Sequence, residues 1–178
     1  MRQLLLLRHA RAGSGLGSED HERPLTEDGR EDAKRMGAFL VGRSLHPDLA
    51  LCSSARRARE TLEALQSHGG DVAAVALERE LYEADAHGLL RRLRAVDDGV
   101  QRCLLVAHQP AIGELSAQLA SEADPAALGR LRHGLSPGAL ALFEVSGPGW
   151  GDLDPGQTRL LDFVAPQDLA GMSEGGRP

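Results

Sequence analysis

Aromatic side chains are scarce in this chain: Phe, Tyr and Trp together make up 3% of 178 residues, with one Tyr and one Trp. A core must then be built from Leu, Val and Ala, and the stacking platforms that hold single-stranded nucleic acid are not expected. Positive charge is also short. The formal net charge is −6, so no phosphate-backbone binder is expected, because such proteins need a broadly positive surface. Any anion site must be a local cluster of Arg and His. The only cysteines are Cys52 and Cys103, without CxxC spacing, each inside an apolar segment. They are expected to be buried free thiols in a reducing compartment, which places the protein in the cytoplasm. Long hydrophobic runs are missing too. The four leucines Leu4–Leu7 are too few for a signal-peptide core or a membrane span, so no membrane partner is expected.

The length suggests one domain over residues 1–165, followed by a polar, glycine-rich and loosely held tail, 166–178. Leu4–Leu7 is a continuous apolar run of the kind buried on both faces of a parallel sheet. A glycine-rich loop, Gly13–Gly17, leads to Arg23-Pro-Leu-Thr26. Thr26 is a good N-cap, with Glu27 and Asp28 in the first turn and Ala33, Met36, Gly37, Leu40 and Val41 at helical spacing. A second strand is expected near Asp48–Cys52, then a helix capped by Ser53 or Ser54. A short strand at Val72–Leu77, a helical stripe through Leu89, Leu93 and Val96, a buried strand at Cys103–Ala107 and a helix after Pro110 follow. Gly138–Val145 and Thr158–Val164 suit a hairpin. Strands alternating with helices through residue 120 imply an α/β three-layer sandwich. Its central sheet is mostly parallel, with helices on both faces, a C-terminal hairpin and no cap domain.

In such sheets ligands bind beyond the carboxyl ends of the strands. Arg8-His9 ends the first strand, Ser53, Ser54, Arg56 and Arg57 follow the second, and His108 ends the fourth. Three segments thus bring basic groups to one edge. Phosphoryl transfer spreads charge over three equatorial oxygens, which guanidinium groups meet with a planar fork. Arg8 and Arg57 fit that role, helped by backbone N–H groups at the helix start after Ser54. His9 is the natural nucleophile, because neutral imidazole is competent near pH 7 once one ring nitrogen is tied to an acceptor. His108 can bond a phosphoryl oxygen and, when protonated, add charge.

The run Leu-Leu-Arg8-His9-Ala-Arg-Ala resembles the Arg-His-Gly signature of the histidine phosphatase superfamily. Three more blocks match in order: Arg23-Pro-Leu-Thr26 with Gly29, Cys-Ser-Ser54-Ala-Arg-Arg57-Ala-Arg-Glu-Thr61, and Leu-Val-Ala-His108-Gln-Pro110. The resemblance, over roughly residues 3 to 166, implies that His9 becomes phosphorylated inside a pocket of Arg8, Arg57 and His108, with no metal and no cofactor. Within the superfamily the chain is most similar to the SixA-type protein phosphohistidine phosphatases, through the Arg-Pro-Leu-Thr block, the Leu81-Tyr82 element and the short Arg57-to-His108 interval, which leaves no room for a cap. Phosphorylated protein or a small phosphoester is the implied partner. Ala10, Ala107 and Gln109 depart from the pattern. The ester-cleaving branches use a Glu as general acid, for which Glu80 and Glu83 are the nearby candidates.

Other readings stand beside these. Arg23 is either a substrate ligand or a structural ion-pair partner. His21, His46, His68, His87 and His133 lie in loops or polar stretches and are expected at the surface. Gly13-x-Gly15-x-Gly17 is too far from a helix start for a dinucleotide site. No HExxH, His-x-x-His or carboxylate cluster suggests a metal. A small-molecule phosphomonoesterase, or a phosphate-binding module without turnover, is the functional alternative.

Overall fold

The alternation of side chains along Leu4–Leu7 sends Leu4 and Leu6 to one face of a sheet and Leu5 and Leu7 to the other. In the computed structural model, which describes residues 1–15, 17, 19–120, 122–123 and 125–171, all four are buried, in two separate apolar layers. One layer joins Leu4, Leu6, Leu51 and Leu105 to Leu89, Leu93, Ile112 and Leu115. The other joins Leu5, Leu7, Cys52, Leu104 and Val106 to Met36, Leu40, Leu62 and Leu65. Each fully buried leucine contributes about 1.5–3 kcal/mol relative to exposure, so the sheet is clamped from both sides.

The strands are β1 (Arg2–Arg8), β2 (Leu49–Ser53), β3 (Ala74–Glu78), β4 (Arg102–Ala107), β5 (Glu122–Ala123), β6 (Leu140–Val145) and β7 (Thr158–Val164). They form one seven-stranded sheet in the order β3-β2-β4-β1-β6-β7-β5. β1, β2, β3 and β4 run parallel, with Arg8 opposite Ala107 and Cys52 opposite Val106. β6 runs antiparallel to β1 and β7 antiparallel to β6, which makes the expected C-terminal hairpin part of the sheet. The helices are α1 (Glu27–Gly42), α2 (Arg56–Gln66), α3 (Glu80–Glu83), α4 (Ala86–Arg94), α5 (Ala111–Leu119), α6 (Pro125–Leu131) and α7 (Pro166–Leu169). α1 and α2 cover one face, α4 and α5 the other, and no cap interrupts the stretch from Arg57 to His108.

Thr26 caps α1 as expected, its hydroxyl accepting the N–H of Gly29 at 3.0 Å. The start of α2 differs from expectation. Its N-cap is Ala55 without a side-chain cap: the Ser53 hydroxyl accepts the N–H of Ala55 itself at 3.3 Å, and the Ser54 hydroxyl bonds His21. The tail also differs. Pro166 and Leu169 are buried and α7 packs on α1, because Leu169 joins the apolar layer containing Leu140 and Val164. Residues 172–178, the rest of the expected loose end, lie outside the described residues, as does Leu16 in the glycine-rich loop. Among the described residues no helix is long and apolar enough to cross a membrane.

Candidate active site

Because β1, β2 and β4 are parallel, Arg8, Ser53 and Ala107 end at the same edge of the sheet. His9 extends β1 by one residue, its N–H donating to the Ala107 carbonyl at 3.1 Å. The His9 Nδ1 lies 2.7 Å from the carbonyl oxygen of Ala10. A carbonyl only accepts, so Nδ1 carries the hydrogen and Nε2 keeps the lone pair. Burial is the main force lowering the His9 pKa to about 4; the Ala10 bond opposes it, while Arg57, Arg8 and Arg23 lower it further. The ring is therefore neutral at pH 7, with the lone pair on Nε2 under the field of three guanidinium groups.

Ala10 is fully buried beside Leu25 and Ala33, and its N–H donates to Thr61 Oγ1 at 3.0 Å. Thr61 in turn donates to the Arg57 carbonyl at 2.6 Å. One buried hydroxyl thus ties the backbone beside His9 to the first turn of α2, where Arg57 sits.

His108 follows β4, and its ring centroid is 5.1 Å from that of His9, at an interplanar angle of 50°. His108 Nε2 lies 2.7 Å from Ser53 Oγ, and Ser53 Oγ also accepts the N–H of Ala55 at 3.3 Å. The pair shares a single hydrogen, given by the Ser53 hydroxyl when the imidazole hydrogen sits on Nδ1 and by Nε2–H in the other tautomer. That Nδ1 is buried and unpartnered among the described residues, as is Arg8 Nε. A buried polar group left unsatisfied costs about 1–3 kcal/mol. Burial first, then the positive neighbours His9 and Arg57, lower the His108 pKa to about 3. In the free site the His108 ring is therefore neutral at pH 7, and the charge expected of it belongs to its protonated form.

Arg57 is buried, and both its terminal nitrogens are held by Asp20, through the backbone carbonyl at 2.7 Å and the carboxylate at 3.1 Å. The same carboxylate accepts the Tyr82 hydroxyl at 2.6 Å and Arg23 Nη1 at 3.0 Å. Arg23 also donates from Nε to the Gly13 carbonyl at 2.9 Å, so it braces the loop while its charge acts on His9. Arg8 donates from Nη1 to the Leu135 carbonyl at 2.8 Å.

The hydrogen bonds from Tyr82 and Arg23 hold Asp20 well below the usual carboxylate range, so it is ionised at neutral pH. Tyr82 stands edge-on to His108 at 5.6 Å and to His21 at 4.9 Å. His21, expected at the surface, instead bonds Ser54 Oγ at 2.9 Å and joins this rim. Its neighbours Asp20 and Glu22 share a short 3-10 turn that packs on α2, which is what carries the ring inward.

Glu80 and Glu83 go elsewhere. Both are exposed and line an outer groove with Leu81, Asp85 and Arg91. Their i, i+3 spacing on α3 puts them on one face of the turn, and Tyr82 faces away from it toward the histidines. Asp20, Ser53 and Tyr82 belong to the site without having been singled out for it. Asp20 stands three residues before Arg23, and Tyr82 is the chain's single tyrosine and part of the Leu81-Tyr82 element. Among the described residues no group of three or more His, Cys, Asp or Glu is placed to hold a metal ion.

This edge, with two histidines facing each other under arginines on a doubly covered parallel sheet, is the arrangement of a phosphate-handling enzyme. The chain belongs to the histidine phosphatase superfamily: the family model for its branch 1 matches residues 4–89. Among solved structures it is similar to a protein of Nakamurella multipartitia assigned as phosphohistidine phosphatase SixA, with 35% identity, coverage of 93% of this chain and 96% of that one, and a TM-score of 0.81. A second such structure, from Agrobacterium tumefaciens, is 29% identical over 92% of this chain and 97% of that one, with a TM-score of 0.75. Phosphohistidine phosphatase SixA of Escherichia coli is 30% identical over 119 residues, 66% of this chain and 73% of that one. Members of this superfamily are phosphatases.

Proposed function

We propose that this chain is a metal-independent phosphatase that takes a phosphoryl group onto Nε2 of His9, and that its substrate is phosphohistidine in a protein. The observation that carries this reading is the His9 ring, fixed at Nδ1 by the Ala10 carbonyl at 2.7 Å and neutral, with a pKa of about 4. In the first step a bond forms between His9 Nε2 and phosphorus while the bond from phosphorus to the substrate imidazole breaks. The departing nitrogen keeps the electron pair and takes a proton from solvent. Arg8, Arg57 and the His108 Nδ1–H meet the equatorial oxygens as charge spreads over them. Water then attacks phosphorus, the bond to Nε2 breaks, and phosphate leaves with His9 neutral again.

The choice of phosphohistidine is supported by the acid inventory. An alkoxide leaving group needs a positioned proton donor, whereas imidazole departs more easily. Glu80 and Glu83 line a different groove. Asp20 touches Arg57, but its pKa is held so low by Tyr82 and Arg23 that it has no proton to give at neutral pH. The SixA-named relatives and the absence of an inserted cap favour the same substrate. The buried thiols Cys52 and Cys103, their pKa values pushed up to about 12 by burial, suit a cytoplasmic setting.

The test is kcat/KM measured side by side on a phosphohistidine protein, a phosphoserine peptide and phosphorylated metabolites, with and without EDTA. Phosphohistidine is expected to be the best substrate and EDTA to have no effect. His108→Ala is expected to lower turnover by about two to four powers of ten. A metabolite cleaved orders of magnitude faster than phosphohistidine would overturn the substrate assignment, and strict dependence on added divalent metal would overturn the mechanism.

A further inference from the structure

Arg8 faces two compartments. Beside the phosphoryl site, at the same sheet edge, lies a cavity of about 450 Å³ whose lining includes Arg8, Gln109, Arg130, His133, Ser136 and Gln167 and contains no carboxylate. On a chain with a net charge of −6, a lining that gathers two arginines and a histidine is locally basic, with Asp168 behind Arg130 offsetting part of that charge. Asp168 approaches Arg130 by a salt bridge, but it is not part of the lining and is also held by the Ala165 N–H at 2.7 Å. Arg130 is otherwise spread over the Phe163 ring at 5.2 Å, which fixes the guanidinium at the cavity wall.

The wall is built into the catalytic edge. Arg8 Nη1 and Gln109 Nε2 both donate to the Leu135 carbonyl, at 2.8 and 3.2 Å. Gln109 Oε1 accepts the Gly113 N–H at 2.9 Å, which fixes the amide so that its second N–H remains to be given. The Gly138 N–H reaches the carbonyls of Arg8 and His9 at 3.2 and 3.1 Å. Gly138 has φ +78°, and a Cβ there would meet Pro166 at 2.9 Å, so only glycine lets the loop seat this closely. The nucleophile's own backbone thus holds the wall of the adjoining cavity.

We propose that this cavity is a second anion subsite, which binds a carboxylate carried by the same substrate whose phosphoryl group lies on His9. The proposal rests on the phosphatase reading for the placement of that phosphoryl group, and goes beyond it by naming what flanks the group. Arg130 and His133 supply the outer donors, Gln109 and Gln167 neutral amides, and Arg8 the shared inner charge. Charge-assisted hydrogen bonds of this kind discriminate acid from neutral by roughly tenfold or more.

Equilibrium binding tests this without any turnover. One arm uses peptides bearing a stable phosphotriazolylalanine with Glu or Ala at the flanking positions. The other compares 3-phosphonopropionate with ethylphosphonate. The acidic ligand is expected to bind about tenfold tighter in at least one arm, and the arm that shows the preference identifies the source, peptide or small acid. The preference is expected to fall to near parity in Arg130→Ala and His133→Ala, and to persist in Arg91→Ala, which removes an exposed charge from the other groove. Equal binding of acidic and neutral ligands in both arms, or a preference untouched by both lining variants, would overturn the subsite. Because no bond is cleaved, either result stands apart from whether His9 turns over substrate.

Discussion

At the scale of single residues, the site depends on two imidazoles kept neutral by burial. His9 and His108 have pKa values lowered from 6.5 to about 4 and about 3. Below pH 6.5 the unfolded chain takes up protons on these rings before the folded chain does, so stability falls as pH drops from 6.5 toward 4. Unfolding followed by the fluorescence of Trp150, the buried single tryptophan, is expected to show that slope, and a shallower one in His108→Gln. Stability that is flat or rising over this window would contradict it. The same shift sets activity: kcat/KM reports the free enzyme's ionisations. Its acid limb, after allowance for the substrate's own ionisation, is expected near pH 4 and not near 6.5.

His9, Arg8, Arg57 and His108 were legible because each follows the end of a strand or opens a helix, where one residue's position is set by backbone alone. Asp20, Tyr82 and His21 were not, because loop conformation and a one-turn helix decide where those side chains aim.

At the scale of elements, strands buried on both faces and helices with one apolar stripe were readable almost to the residue. The strand expected at Cys103–Ala107 and found at Arg102–Ala107, and the Thr26 cap of α1, are examples. Less readable were β5, α6 and α7, short pieces whose form comes from what they pack on and not from their own periodicity. The join between α1 and the site loop turns on Gly29. A Cβ there would lie 2.2 Å from the Arg11 carbonyl oxygen, the same oxygen that accepts the Thr26 N–H at 2.9 Å. Backbone cannot yield as a flexible side chain does, so Gly29→Ala is expected to destabilise the protein by about 1–3 kcal/mol. A denaturant midpoint unchanged from wild type would show that the loop and helix do not meet this tightly.

For the whole molecule, three parallel strands end at one edge of the sheet and bring Arg8, His9, Arg57 and His108 together there. Topology, not local sequence, makes residues 9, 57 and 108 neighbours, which is why their meeting was anticipated by the sheet-edge rule and by the four ordered blocks of the resemblance, and not by any one motif. The most direct test is rapid mixing with a phosphohistidine protein or an aryl phosphate, acid-free quenching and mass spectrometry of the peptide containing residue 9. A phosphoryl group on His9, stable to base, labile to acid and turning over at the catalytic rate, is expected in the wild type and more abundantly in variants slowed in hydrolysis. Turnover with no phosphoryl group on His9, or turnover that survives in His9→Ala, would contradict the covalent mechanism.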